Sequence, residues 1–126
     1  MYTLALSRSF EARHYLVGGD WGSENAPHTH AYRAEVRLVS DKLDQHGYIV
    51  DLEALEDLLG RIVARYREQL LNDLPEFAGR NPSIEHFSRC FFDRLAEGLG
   101  RESYVSLEVR LWETAEAWAG YRECFR

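Results

Sequence analysis

The chain has 126 residues, which fits one domain, and we expect a single domain over residues 1–126. Its composition, 45% hydrophobic and 13% aromatic, suffices for a compact core, whereas a net charge of -6 without a basic stripe argues against nucleic acid as a main partner. The sequence contains no apolar run of membrane-spanning length and no signal-peptide pattern, so we predict a cytoplasmic protein with no membrane partner.

Two stretches of alternating polarity predict a first pair of strands. Residues 2–14 and 28–39 both alternate, and the segment 17–27 between them holds three glycines and a proline, which is typical of a loop. Side chains on a strand alternate with a period of two, so histidines two positions apart share a face. The histidines carried by these strands are His14, His28 and His30.

Two stretches with a 3.6-residue hydrophobic period predict helices. The first runs over residues 52–66, and Asp51 before it is a suitable N-cap. The second has its apolar stripe over residues 84–99, and Asn81–Pro82 reads as its cap and first helical position. The end of the second helix is marked by Gly98 and Gly100.

A second pair of strands is predicted at the end of the chain. Residues 103–113 alternate, and Glu113 continues the apolar face of this strand. Residues 118–125 are rich in aromatic side chains and form the last predicted strand. The order ββααββ predicts an α+β fold, an antiparallel sheet with helices on one side.

The three histidines can be interpreted in two ways. If the first two strands pair as a hairpin, the end of one lies beside the start of the other, and His14, His28 and His30 converge. Three imidazoles with an open fourth position are a ligand set of catalytic zinc. The alternative is that each histidine is an ordinary surface or core residue, and the spacing alone leaves both interpretations open.

Six segments resemble, in order, the superfamily of 6-pyruvoyl-tetrahydropterin synthase and 6-carboxy-tetrahydropterin synthase (QueD-type). They are SFEARH, HTHAYRAEVRL, GYIVDLEALEDLL, LLNDLPEF, NPSIEHF and LEVRLWETAEAWAGY. The resemblance implies a tunnelling fold, in which each subunit has a four-stranded antiparallel sheet and two helices. It also implies that subunits join edge to edge into a barrel, usually a homohexamer of two trimers, with sites between subunits. Closure into a barrel would remove the exposed sheet edges.

The resemblance also assigns roles to individual residues. It implies that His14, His28 and His30 hold Zn²⁺, with HTH in place of the family's HGH. Glu113 matches the glutamate that anchors the pterin ring, since a carboxylate can accept two hydrogen bonds from the ring's amino and N–H groups. Thr114 follows it and would add a polar contact. Independently of the family, a glutamate on an apolar strand face needs a partner or a ligand.

The chain departs from the family at the positions of the catalytic residues. The family's cysteine, four positions before the first histidine of HGH, corresponds to Glu24. The family's Asp-His pair before the LN dipeptide corresponds to Arg67 and Glu68. The thiolate and the imidazole of the usual proton transfers are therefore both missing.

Three hypotheses remain open. In the first, the protein is a zinc-dependent lyase acting on a dihydropterin such as 7,8-dihydroneopterin triphosphate. Glu24 is then the catalytic base, as a loop glutamate is in the type III relatives that release 6-hydroxymethyl-dihydropterin, and Glu68 of a neighbouring subunit is a second candidate. In the second, the zinc pocket takes a different pterin- or purine-like substrate, and Arg67 binds a phosphate. In the third, the chain is a non-catalytic pterin-binding paralogue, and Glu24 is a solvated loop acid.

Overall fold

The computed structural model describes residues 1–100 and 104–125. Its regular elements follow the predicted order ββααββ, and residue 103, where the third strand was predicted to begin, lies outside the described residues. The elements are β1 (Tyr2–His14), β2 (His28–Ser40), α1 (Leu52–Tyr66), α2 (Ile84–Leu99), β3 (Ser106–Trp112) and β4 (Trp118–Cys124). Short 3-10 turns lie at Gly22–Asn25, Leu71–Asp73 and Pro75–Phe77.

The four strands form one antiparallel sheet in the order β1-β2-β3-β4. The predicted α+β fold, a four-stranded antiparallel sheet with two helices, is therefore confirmed. The β1–β2 ladder is the longest, running from Tyr2 opposite Ser40 to His14 opposite His28. This register places Ala12 opposite His30, so the three histidines meet at one end of the hairpin.

Both helices cover the same face of the sheet and share one core with it. Phe10 of β1 stacks on Tyr32 of β2, with 5.5 Å between ring centroids, and meets Phe87 and Phe91 of α2. The other face of the sheet is polar, and the guanidinium of Arg33 lies 4.4 Å from the Trp112 ring. Over the described residues, neither helix is long and apolar enough to cross a membrane.

One predicted helix cap is correct and one is wrong. Asp51 caps α1, because its carboxylate accepts from the backbone N–H of Glu53. The N-cap of α2 is Ser83, whose hydroxyl accepts from the backbone N–H of His86, and the helix begins after it. The prediction of Asn81–Pro82 as cap and first helical position fails because the amide of Asn81 is bonded to the distant Val17.

The end of α2 agrees with its prediction. The helix runs to Leu99, between the two glycines, and Gly98 lies in its last turn. Gly100 is the C-cap, with a φ of 72° that a glycine adopts without strain.

A network centred on Glu76 fixes the connection between the helices. The carboxylate accepts from Arg65 at 3.0 Å, from the Tyr66 hydroxyl at 2.7 Å and from Arg94 at 3.2 Å. The hydrogen bonds from Arg65 are the main cause that lowers the pKa of Glu76 to about 2, with Tyr66 acting in the same direction. The network ties the last turn of α1 to α2.

We predict a pH-dependent loss of stability in Glu76→Gln. The pKa of Glu76 falls from 4.5 to about 2 on folding, so its contribution is complete above pH 4.5 and is lost as the pH drops towards 2. Urea unfolding at pH 7 should show the variant less stable by about 2 kcal/mol. The two proteins should converge in acid. Glu97→Gln, at an exposed position of α2, is the matched control, and a difference that stays constant with pH would contradict this account.

Candidate metal centre

The β1–β2 hairpin gathers three imidazoles, which we call the histidine cluster: His14, His28 and His30. Their ring centroids are 4.5 to 4.8 Å apart. One potential ligand nitrogen from each ring lies within 4.8 Å of the other two. The arrangement follows from pairing His14 directly with His28, because alternation places His30 on the same face. The cluster can hold a metal ion.

Hydrogen bonds at Nδ1 of His28 and His14 leave the Nε2 atoms of these rings for the centre of the cluster. His28 Nδ1 lies 2.9 Å from the carbonyl oxygen of Ala26, which can only accept, so this nitrogen carries the proton and Nε2 keeps its lone pair. His14 Nδ1 pairs with the Tyr32 hydroxyl at 3.0 Å. The Nε2 atoms of His28 and His30 are buried and have no hydrogen-bond partner among the described residues. Buried, unpaired imidazole nitrogens that face one another fit a metal ion.

Electrostatics keeps His14 neutral. Burial is the main cause that lowers its pKa to about 4, and the neighbouring His30 and His28 act in the same direction. A metal binds neutral imidazole, so at neutral pH no proton has to leave His14 before binding. Burial, with the charge of Glu113, also raises the pKa of Tyr32 far above its ordinary value, which keeps this hydroxyl protonated.

Glu113 directly follows the last residue of β3, and its carboxylate lies beside the histidine cluster. Its Oε1 atom lies 3.1 Å from His30 Nε2 and 3.8 Å from His14 Nε2. The first distance is short enough for an ion pair if that imidazole is protonated, but His30 Nε2 has no hydrogen-bond partner among the described residues. The sequence pattern indicated that Glu113 needs a partner, and in the structure its carboxylate lies next to His30 and His14.

Thr114 supports the turn that follows Glu113. Its hydroxyl oxygen accepts from the backbone N–H groups of Glu116 and Ala117. The Glu113 backbone N–H donates to the Ala117 carbonyl, which closes the β3–β4 hairpin. The Thr114 hydroxyl oxygen is thus engaged as an acceptor in the turn, and no described residue accepts its proton.

Glu24 lies on the loop that joins the histidine-bearing strands. It belongs to the 3-10 turn Gly22–Asn25, and its carbonyl accepts from the backbone N–H of Leu16 at 2.8 Å. Its exposed carboxylate makes no hydrogen bond or ion pair with any described residue. The structure therefore places Glu24 on the loop between His14 and His28 but gives its carboxylate no partner within one chain.

Two asparagines that sequence reasoning did not assign to this loop hold it in place. The Asn72 amide accepts from the backbone N–H of Tyr15 and donates to the carbonyl of the same residue. The Asn81 amide does the same with Val17. An amide that both donates and accepts can replace a neighbouring strand in this way. The only local signal was an asparagine in each connecting segment, which does not indicate a partner more than fifty residues away.

Arg67 and Glu68 are exposed residues that directly follow α1. Neither side chain makes a hydrogen bond or ion pair with the histidine cluster in the described chain. Glu68 has a φ of 59°, a conformation that costs a non-glycine residue about 1 kcal/mol, and its backbone N–H donates to the Glu11 carbonyl. The segment then follows the outer edge of β1 through a bridge between Arg13 and Leu70.

Comparison with known proteins gives consistent matches. Residues 3–124 match the sequence family described as 6-pyruvoyl tetrahydropterin synthase. A putative 6-carboxy-5,6,7,8-tetrahydropterin synthase from Archaeoglobus fulgidus is 29% identical over 120 residues, which are 94% of this chain and 94% of that protein.

Solved structures share the fold. The 6-pyruvoyl tetrahydropterin synthase of Caenorhabditis elegans superposes with a TM-score of 0.82 at 20% identity, over 97% of this chain and 95% of that one. A Plasmodium vivax 6-pyruvoyltetrahydropterin synthase with a catalytic glutamate replaced by alanine gives a TM-score of 0.81 at 15% identity, over 98% of each chain.

We predict that the chain binds one zinc ion and that His28→Ala weakens this binding at least 100-fold, because the variant removes one of the unpaired Nε2 atoms. Isothermal titration of metal-free protein with zinc at pH 7 measures the stoichiometry and the dissociation constant. His46→Ala is the matched control, since His46 is an exposed histidine outside the cluster. Equal weakening in both variants would contradict the assignment.

Proposed function

Because the chain belongs to the 6-pyruvoyl tetrahydropterin synthase family, we propose that it is a zinc-dependent lyase acting on a dihydropterin such as 7,8-dihydroneopterin triphosphate. The proposal is supported by the buried Nε2 atoms of His28 and His30, which have no hydrogen bond in the described chain and lie in the same cluster as the Glu113 carboxylate. A structural histidine cluster would need neither unpaired lone pairs nor an adjacent anchor for a ligand.

The histidine cluster would hold the zinc ion. When bound, zinc polarises a substrate oxygen and so acidifies the neighbouring groups. Glu113 binds the pterin by accepting hydrogen bonds from the 2-amino group and the adjacent ring N–H, a fork that a carboxylate matches. Its Oε1 atom lies within 4 Å of nitrogens of two cluster histidines, so a ring held there lies next to the metal centre. Thr114 can add a hydrogen bond through its hydroxyl proton.

Glu24 is the candidate base for cleavage of the substrate side chain. It takes the proton of the hydroxyl on the second side-chain carbon, and the bond between the first and second carbons breaks. The electron pair of that bond passes to the pterin ring, and the proton that Glu24 has taken up is then returned to the first carbon. The products are 6-hydroxymethyl-dihydropterin and a triphosphorylated two-carbon aldehyde. The catalytic glutamate of the Plasmodium vivax synthase supports this role, because it is an example of a carboxylate acting catalytically in the same fold.

The segment after α1 runs along the outer edge of β1, where the Glu68 N–H donates to the Glu11 carbonyl and the Arg13 N–H donates to the Gln69 carbonyl. The side chains of Arg67 and Glu68 are exposed at this edge. Joining subunits edge to edge into a homohexameric barrel would bring them to a neighbour's site. Glu68 would then be a second candidate base, and Arg67 would bind substrate phosphate through its guanidinium fork.

A second candidate function is favoured by one observation. The Glu24 carboxylate has no partner in the described chain, and the same is expected of a solvated loop acid that takes no part in catalysis. The same zinc pocket would then serve a different pterin- or purine-like substrate, or bind a pterin without turnover. Products identified by mass spectrometry distinguish these alternatives.

We expect Glu24→Gln to lower the turnover number about 100-fold, because the amide cannot take up the hydroxyl proton. The zinc content and KM should stay near the values of the unmodified protein, since the variant keeps the shape of the side chain and does not touch the cluster. Zinc-loaded protein is incubated with 7,8-dihydroneopterin triphosphate, and the products are followed by mass spectrometry. Asp20→Asn, another exposed acid of the same loop, is the matched control. Full turnover in Glu24→Gln, or a pyruvoyl or carboxy product, would show that the base assignment is wrong.

A further inference from the structure

The loop between His14 and His28 begins where the strand ladder can no longer continue. The last pair of the β1–β2 ladder is His14 with His28. The residue before His28 is Pro27, which has no backbone N–H and cannot donate to β1. Beyond the two histidines, other groups must therefore hold the two ends of the loop together.

Asn25 supplies these groups. Its Nδ2 donates to the carbonyls of Leu16 and Gly19 at 3.0 Å each, and its Oδ1 accepts from the Trp21 backbone N–H at 2.9 Å. The backbone N–H of Leu16 donates in turn to the carbonyl of Glu24. Both backbone groups of Leu16 are thus bonded to the Glu24–Asn25 dipeptide, which joins the residue just past β1 to the segment just before β2.

The two neighbours of Asn25 in the chain are the candidate base and the residue whose carbonyl bonds to a metal ligand. Glu24 precedes it, and the backbone N–H of Glu24 donates to the Trp21 carbonyl at 3.2 Å. Ala26 follows it, and the carbonyl of Ala26 fixes the proton of His28 on Nδ1. A shift of the Asn25 backbone therefore moves the carboxylate of Glu24 and the carbonyl that orients His28 at the same time.

We infer that Asn25 is a positioning residue that sets the Glu24 carboxylate and the His28 tautomer together. The part that concerns Glu24 rests on the proposed function, whereas the part that concerns His28 requires only metal binding. The loop thereby couples the candidate base to one metal ligand through a single amide side chain.

The test compares two variants with a control of the same loop. Asn25→Ala removes all three hydrogen bonds, and Asn25→Asp keeps the acceptor for Trp21 but sets a carboxylate oxygen against two carbonyls. Each variant should raise the zinc dissociation constant about tenfold, as expected when the carbonyl that orients a metal ligand is displaced. Asp20→Ala removes a bond from the Gly22 N–H, the one side-chain hydrogen bond of Asp20 among the described residues, and should stay within twofold.

Nitrogen-15 NMR of the metal-free protein reads the tautomer directly. In the unmodified chain His28 should carry its proton on Nδ1, and both Asn25 variants should shift the ring towards the Nε2-protonated form. A merely structural role would lower the unfolding temperature without changing the tautomer. Turnover should fall in both Asn25 variants with KM little changed.

The outcomes separate this inference from the proposed function. If the unmodified protein converts no dihydropterin, the proposed function fails, while zinc affinity and tautomer still test Asn25. Zinc affinity within twofold of the unmodified value and an unchanged His28 tautomer in both folded variants would overturn the inference. Weakened zinc binding with unchanged turnover would overturn its Glu24 part.

Discussion

The pairing of His14 with His28 is the constraint on which the site depends. A β-ladder shifted by one residue would turn His28 and His30 to the opposite face of β2 and separate them from His14. The register is held by the core side of the same strands, where Phe10 packs on Tyr32 and both are buried. The apolar side chains that fold the sheet therefore also determine where the imidazoles meet.

The same packing creates the chemistry of the cluster. Burial disfavours the charged form of His14, and two further imidazoles nearby make protonation still less favourable. The buried Nε2 atoms of His28 and His30 have lost water without gaining a hydrogen bond in the described chain. A cation at this point would satisfy these lone pairs, and the Glu113 carboxylate beside them would contribute favourable charge.

Periodicity was sufficient to predict the elements and the shared face of the histidines. It also showed that Glu113 needed a partner, because a lone carboxylate continues the apolar face of β3. It could not predict the Asn81 amide bond to Val17, since a local Asn-Pro pattern reads equally well as a helix cap. The left-handed backbone conformation of Glu68 could not be predicted either, because it is held by a hydrogen bond to the Glu11 carbonyl of a strand distant in the sequence.

The claim that the hairpin register builds a metal site is tested most directly by crystal diffraction from protein purified without chelator. Anomalous difference maps measured on the two sides of the zinc absorption edge locate the ion independently of any assay. We predict one zinc peak per chain, within Zn–N bonding distance of the Nε2 atoms of His14, His28 and His30. An empty cluster, or zinc bound only at other residues, would contradict it.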